Sequence, residues 1–159
     1  MTTLRPATQA DEGPVRELLT NAALPLEGLE DFFPDGYVVA EAEGRVVGAT
    51  GMEIHDEDGL LRSAIVAPEW QGHGIGRRLT EERLSWAGRR GVRAVYLLTT
   101  TAAGYFPRVG FLPIGRDEVP AGIRASREFA STCPSTAAVM RLILDPRSPL
   151  SPSRKVTFK

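Results

Sequence analysis

Val66-Ala67-Pro68-Glu69-Trp70-Gln71-Gly72-His73-Gly74-Ile75-Gly76 decides how this chain of 159 residues is read. An apolar stretch with Leu60, Leu61, Ile65 and Val66 runs into Pro68. Proline donates nothing to a sheet ladder and disfavours helix at the residue before it, so a strand ends here. Glycines follow at alternate positions, Gly72, Gly74 and Gly76, and a helical pattern then runs from Ile75 to Arg90. A strand, a glycine turn and a helix start together make an anion site. First-turn N–H groups lack intrahelical acceptors, the helix dipole favours negative charge, and the missing Cβ atoms let phosphate oxygens approach. The reading is a pyrophosphate cradle. A P-loop is excluded because Arg77-Arg78 follows Gly76 where Lys-Ser/Thr is needed, and G-x-G-x-x-G fails at Arg77 and Leu79.

The bulk properties narrow the class. Hydrophobic residues make up 42% and charged residues 25%, with a net charge of −1 and a pI near 6.1, as in an ordinary globular domain. No basic excess argues for nucleic acid, and no apolar run approaches the ~20 residues of a membrane span. The N-terminus shows no signal-peptide pattern, so a cytoplasmic location is the expectation. The single Cys133 forms no intrachain disulfide, and with His55 and His73 it makes no metal-ligand spacing, so no metal is expected.

Around the glycine run the elements fall in the order β-α-α-β-β-β-α-β-α-β-β. Thr3 to Pro6 is a first strand. Thr8 and Asp11 start a helix whose face is Val15, Leu18, Leu19, Ala22 and Ala23. Pro25 to Phe33 reads as a second helix. Tyr37–Glu41 and Val46–Ile54 are strands joined by a hairpin at Glu43-Gly44, and Asp56-Glu57-Asp58-Gly59 turns into the Leu60–Val66 strand. The helix after the loop carries Ile75, Leu79, Leu84, Trp86 and Ala87 on one face, where Arg83 is expected to snorkel, and Gly91 caps its end. Ala94–Leu98 is a central strand, and Pro113–Arg116 and Ala137–Leu144 close the sheet. Residues 1–144 are expected to form one domain, and the Pro/Ser-rich basic stretch 145–159 a mobile tail.

Gln71-Gly72-His73-Gly74-Ile75-Gly76, preceded by Val-x-Pro, resembles the signature of the GNAT superfamily of acyl-CoA-dependent N-acetyltransferases. A second block, Ala102-Ala103-Gly104-Tyr105-Phe106-Pro107-Arg108-Val109-Gly110-Phe111, is similar to the family's late helix. The resemblance covers Leu4 to about Leu144. It implies an α/β fold with a mixed, mostly antiparallel sheet flanked by helices, two central strands splayed to admit the cofactor, and acetyl-CoA as co-substrate. The pyrophosphate would rest on Gln71, Gly72, His73, Gly74, Ile75, Gly76 and Arg77, and the pantetheine arm on Ile65, Val66 and Ala67, with Ala102 and Phe106 also on the cofactor. The Val66 amide would polarise the thioester carbonyl for direct attack by an amine in a ternary complex.

Three departures from the family pattern bear on mechanism. Phe106 stands where many members carry a thiolate-protonating tyrosine, with Tyr105 one position off. Thr99 stands where many have a coenzyme-contacting asparagine, and Leu60 near the glutamate base of histone-type members. The candidate bases are Glu53 first, then Glu41, Asp31 and His55, or water. Thr99, Thr100 and Thr101 offer hydroxyls at the strand mouth, although strand propensity and a helix cap account for them equally.

The segments 59–68, 95–102 and 123–134 are similar to the subgroup named for arsenic-resistance gene clusters. This implies a small amine acceptor, a glutamate-like amino acid bearing an arsinate or phosphinate. Arg62 and Arg124 are the first-choice cations for it, ahead of Arg116 and Arg127. Two other readings stand beside this one: a protein or peptide N-acetyltransferase, and a non-catalytic acyl-CoA sensor. A homodimer is compatible with the sequence but not demanded by it.

Overall fold

The computed structural model describes residues 2–99, 106–131 and 137–144. Thr100, Thr101, Ala102, Tyr105, Cys133 and the stretch 145–159 lie outside the described residues. In chain order the elements are β1 (Thr3–Pro6), α1 (Glu12–Asn21), α2 (Leu29–Phe32), β2 (Tyr37–Ala42), β3 (Arg45–His55), β4 (Asp58–Val66), α3 (Ile75–Arg89), β5 (Ala94–Thr99), α4 (Phe106–Val109), β6 (Leu112–Ile114), α5 (Ala121–Arg124), α6 (Arg127–Ser131) and β7 (Ala138–Ile143). The strands form a mixed, mostly antiparallel seven-stranded sheet in the order β1-β2-β3-β4-β5-β7-β6, flanked by helices. The expected order holds, with α5 and α6 added between β6 and β7. By its contacts the chain divides into two units, Met1–Glu53 with Leu61–Leu84, and Ile54–Leu60 with Ser85–Lys159.

In the first unit β2 is buried on both faces, so its sequence is nearly unbroken in apolar residues. Tyr37 and Val39 pack with Val15 and Leu19 of α1, Leu29 of α2, Phe33 and Ala49. Val38, Ala40 and Ala42 point the other way, onto Val47 and onto Ile75 and Leu79 of α3. The β2–β3 hairpin turns at Glu43 (φ +54) and Gly44 (φ +76), a pair of left-handed residues suited to the twist of the flanking strands. Three expectations are corrected here. The second helix begins at Leu29, because Gly28 (φ +81) holds the residue before it out of helical geometry. Helix α1 ends at Asn21, leaving Ala22 and Ala23 exposed. Arg83 does not snorkel: it is buried at 2% exposure, and its guanidinium donates to the Gly36 carbonyl at 2.9 Å. That carbonyl, at the turn before β2, also accepts from the Met52 amide of β3 at 2.9 Å.

The start of α1 is stapled to β1. Asp11 accepts from the Thr8 amide at 2.7 Å, and Arg5 grips its two oxygens at 2.9 and 3.0 Å. The Arg5 hydrogen bonds hold the Asp11 carboxyl below its ordinary value, opposed by burial. A depressed carboxylate contributes stability above its unfolded pKa of about 3.9, which is lost as pH falls through the folded value. Asp11→Ala is expected to cost about 2 kcal/mol in denaturant unfolding at pH 7. The difference from wild type should shrink toward zero in acid. An equal difference at pH 7 and pH 2 contradicts the assignment.

In the second unit β5 runs parallel to the start of β4, Asp58 opposite Ala94 and Leu60 opposite Tyr96. It pairs antiparallel with β7, from Ala94 opposite Ile143 to Thr99 opposite Ala138. Asp58 and Gly59, read as turn, belong to the strand, and Arg93 donates to the Glu57 carbonyl at 2.8 Å just before it. Gly91 (φ +85) ends α3 as expected, with the Val92 amide returning to the Ala87 carbonyl. The core joins Leu60, Tyr96, Val119, Ile123, Phe129 and Val139. Arg116, expected at the end of a strand, stands in a 3-10 turn with its guanidinium over the Phe129 ring.

Candidate functional site

The end of β4 is fastened to β3 by the Ala67 amide, which donates to the Val47 carbonyl at 2.8 Å. Successive peptides of an extended chain face opposite ways, so the N–H and C=O of Val66 turn away from β3. Gln71 confirms the direction for the carbonyl, donating its side-chain amide to Val66 O at 3.0 Å. A 3-10 turn over Pro68–Trp70 then reverses the chain into the glycine loop.

Gly72 (φ +85) and Gly74 (φ +80) occupy left-handed backbone, and a Cβ on either would meet no atom within 4 Å. Glycine is therefore required by conformation, and the space beside the loop is open. The first helical hydrogen bond runs from the Arg78 amide to the Gly74 carbonyl at 3.1 Å. Among the described residues, the amides of Gly72, Gly74, Ile75 and Gly76 donate to no carbonyl. They stand where the positive end of the 15-residue α3 lies.

The three side chains expected to assist them are otherwise engaged. Gln71 holds Val66. His73 places Nδ1 3.1 Å from the carbonyls of both Trp70 and Gln71, which makes Nδ1 the protonated nitrogen. Arg77 pairs with Glu81 at 3.1 Å. What the loop leaves open to an anion is thus its main chain.

Gly48 on β3 sets how closely these parts approach. A Cβ there would lie 3.1 Å from the Ile65 carbonyl, 3.2 Å from Leu79 Cδ1 and 3.5 Å from Ile75 Cγ2. Gly48→Val is expected to force the end of β4 and the start of α3 apart, losing about 1–3 kcal/mol of stability and weakening acetyl-CoA binding more than Gly48→Ala does. Calorimetric titration of the two variants checks this ranking, and equal affinities contradict it.

Farther back along β4, the structure brings together two residues assigned to different tasks. Glu53 is 2% exposed and Arg62 3%, and Arg62 Nη1 lies 2.9 Å from Glu53 Oε2. The same guanidinium donates to the Glu27 carbonyl at 2.7 Å and, through Nε, to Ser63 Oγ at 3.1 Å. Ser63 has φ +56 inside a strand. Left-handed backbone costs a non-glycine residue roughly 1–2 kcal/mol. The Ser63 hydroxyl bonds both Arg62 and Tyr37 Oη, the latter at 2.9 Å, and two buried hydrogen bonds at about 1 kcal/mol each offset that strain. Tyr37 lies over Gly51, its cross-strand partner, where a Cβ would collide with the phenol carbons Cζ, Cε1 and Cε2. Ser63, Tyr37, Gly51 and Gly48 were missed from the sequence. A glycine within a strand pattern signals close backbone approach, and that cue was available at Gly48 and Gly51.

Of the other candidates, Glu41 pairs with Arg5 at 2.8 Å, and Asp31 is exposed on α2. In the second unit, Thr99 ends β5 half-buried. Phe106 is buried edge-on to Phe111, with ring centroids 5.7 Å apart. His55 is half-buried at the end of β3, and Arg124 and Arg127 are exposed. Ala102 lies outside the described residues.

A strand end that feeds a glycine turn and a helix start with open amides offers main-chain donors suited to an anion such as phosphate. Residues 34–113, about half of the chain, match the acetyltransferase (GNAT) domain model, and the chain belongs to that family. It is 32% identical to a mycothiol acetyltransferase of Cellulomonas flavigena, the match covering 62% of this chain and 33% of that protein. It is 36% identical to an amino-acid acetyltransferase of Pseudomonas putida, covering 57% of this chain and 21% of that one. The fold matches that of N-acetylglutamate synthase from Neisseria gonorrhoeae, solved with coenzyme A and N-acetyl-glutamate. The TM-score is 0.77 at 20% identity, over 91% of this chain and 35% of that one. The chain spans less than two thirds of the length of the curated relatives it matches.

Proposed function

We propose that the protein is an N-acetyltransferase that moves an acetyl group from acetyl-CoA to the amine of a small molecule. The observation that carries the reading is the set of open amides at Gly72, Gly74, Ile75 and Gly76 beside the end of β4. They suit a diphosphate, and the Val66 N–H, turned away from β3, suits a thioester carbonyl. A neutral amine attacks that carbon. The developing oxyanion is held by the Val66 amide, a type of contact worth roughly 10²–10³ in rate. The amine loses one proton, the C–S bond breaks, and the thiolate takes one proton. Phe106 has none to give, so that proton comes from water or another group. Glu53 remains the proposed base among the named carboxylates; it is buried at 2% exposure against Arg62 and would have to act through water or a local opening of that pair.

Amino-acid acetyltransferases among the relatives support a small amino-acid acceptor. The likeness of three segments to the arsenic-resistance subgroup supports one of glutamate-like shape bearing an arsinate or phosphinate. The charge of Arg62 is matched by Glu53, so Arg124 is the better cation for such a group. The test is thiol release from acetyl-CoA with glutamate, a phosphinate analogue of glutamate, neutral amino acids and a lysine peptide. Turnover is expected with the acidic small amines. Turnover on the peptide alone makes the protein a peptide acetyltransferase, and binding without turnover on any acceptor makes it a sensor.

A further inference from the structure

We infer that Tyr37, Gly51 and Ser63 form a lock that sets which way the end of β4 faces, making them positioning residues for acetyl transfer. The inference rests on the proposed function, since the group they aim is the Val66 amide. Ser63, 7% exposed, stands three residues before Val66 and takes φ +56 in mid-strand. A left-handed residue within a strand shifts the alternation of every peptide after it by one position. With Ser63 in that conformation, Ala67 donates to Val47 and Val66 faces away from β3. With Ser63 in ordinary extended geometry the phase reverses, and the Val66 amide turns toward β3.

The relaxed form is the one serine favours, so something must hold the other. Tyr37 Oη binds the Ser63 hydroxyl at 2.9 Å, and Arg62 Nε donates to it at 3.1 Å. Tyr37 belongs to β2 and reaches Ser63 on β4 by lying across β3. Only the absence of a side chain at Gly51 leaves room for its ring. The phenol is 1% exposed. Its position costs the protein a bare glycine on β3 and a left-handed serine on β4, and what the pair fixes is the direction of the strand end.

The test compares wild type with Ser63→Gly, which accepts positive φ freely, Ser63→Val, which does not, and Tyr37→Phe. Each is titrated calorimetrically with acetyl-CoA, and the carbonyl stretch of bound acetyl-CoA, 13C-labelled at C1 of the acetyl group, is read by infrared difference spectroscopy. Wild type and Ser63→Gly are expected to lower the stretch on binding. Ser63→Val is expected to bind within about threefold of wild type, since the loop amides are untouched, yet to leave the carbonyl at its free frequency. Tyr37→Phe, the variant least disturbing to folding, should show a reduced shift. If Ser63→Val and Tyr37→Phe both retain the wild-type shift, the lock is wrong and the acetyltransferase reading stands. If wild type binds no acetyl-CoA, that reading falls and takes the lock with it.

Discussion

Gly74→Asp is expected to weaken acetyl-CoA binding by about two orders of magnitude while leaving the fold intact. The added Cβ meets no atom within 4 Å, so no clash arises. The backbone there sits at φ +80, where aspartate is among the better tolerated residues. A carboxylate at the start of α3 also suits the helix dipole, by roughly 0.3–1 kcal/mol. Its effect on a diphosphate held by the neighbouring amides is the reverse. Two like charges about 5 Å apart at an effective dielectric near 20 repel by about 3 kcal/mol, or about 10² in affinity. Gly74→Ala carries the conformational strain without the charge and should bind acetyl-CoA nearly as wild type does. S-acetylpantetheine, which has no diphosphate, separates the two effects. The aspartate variant should use it as well as wild type does. Equal loss toward both donors would place the diphosphate elsewhere.

Arg62→Ala is expected to cost about 3–5 kcal/mol, a large share of the 5–15 kcal/mol that holds a domain of this size together. The variant removes the guanidinium from Glu53, from the Glu27 carbonyl and from the Ser63 hydroxyl at once. It leaves the Glu53 carboxylate buried without that cation, which is costlier than never having placed the pair there. Arg62→Lys should recover only part of the loss, because one ammonium cannot serve three acceptors spread around a planar fork. Replacing both Arg62 and Glu53 by leucine should lie closer to wild type than Arg62→Ala. Thermal unfolding of the four proteins checks the order. Glu53→Gln separates a structural carboxylate from a catalytic one: a base loses kcat out of proportion to any change in Tm, and a structural partner loses the two together.

The parts of this molecule that were legible in the chain are those whose signals are local. Thr3–Pro6 is a strand from end to end, Ile75–Arg89 is a helix within one residue of its expected end, and Glu43-Gly44 is a hairpin turn. Each rests on periodicity or on a turn residue whose φ demands it. The glycine loop was legible for the same reason, since Gly72 and Gly74 carry their conformational requirement in the residue type. The side chains around it were not. Gln71 and His73 turn back to carbonyls of their own turn, and nothing in their identity distinguishes that from reaching toward a phosphate.

Segment 116–131 holds a 3-10 turn and two helices of four and five residues. These are too short to develop a periodic face, and they form because Ile123 and Phe129 have a core to enter. Arg83 answers a carbonyl 47 positions away, and Tyr37 a hydroxyl 26 positions away. Such partners exist only once the sheet has assembled, which is why a charge inside an apolar stripe read as a surface group.

Titration of 15N-labelled protein with acetyl-CoA, followed by amide chemical shift, bears most directly on the claim that main-chain donors between Gln71 and Arg77 hold the diphosphate. The largest shifts should fall on Gly72, Gly74, Ile75 and Gly76, with Val66 responding to the acetyl thioester and less to coenzyme A itself. Binding that leaves those four amides where they were, or that moves a different set, contradicts the account.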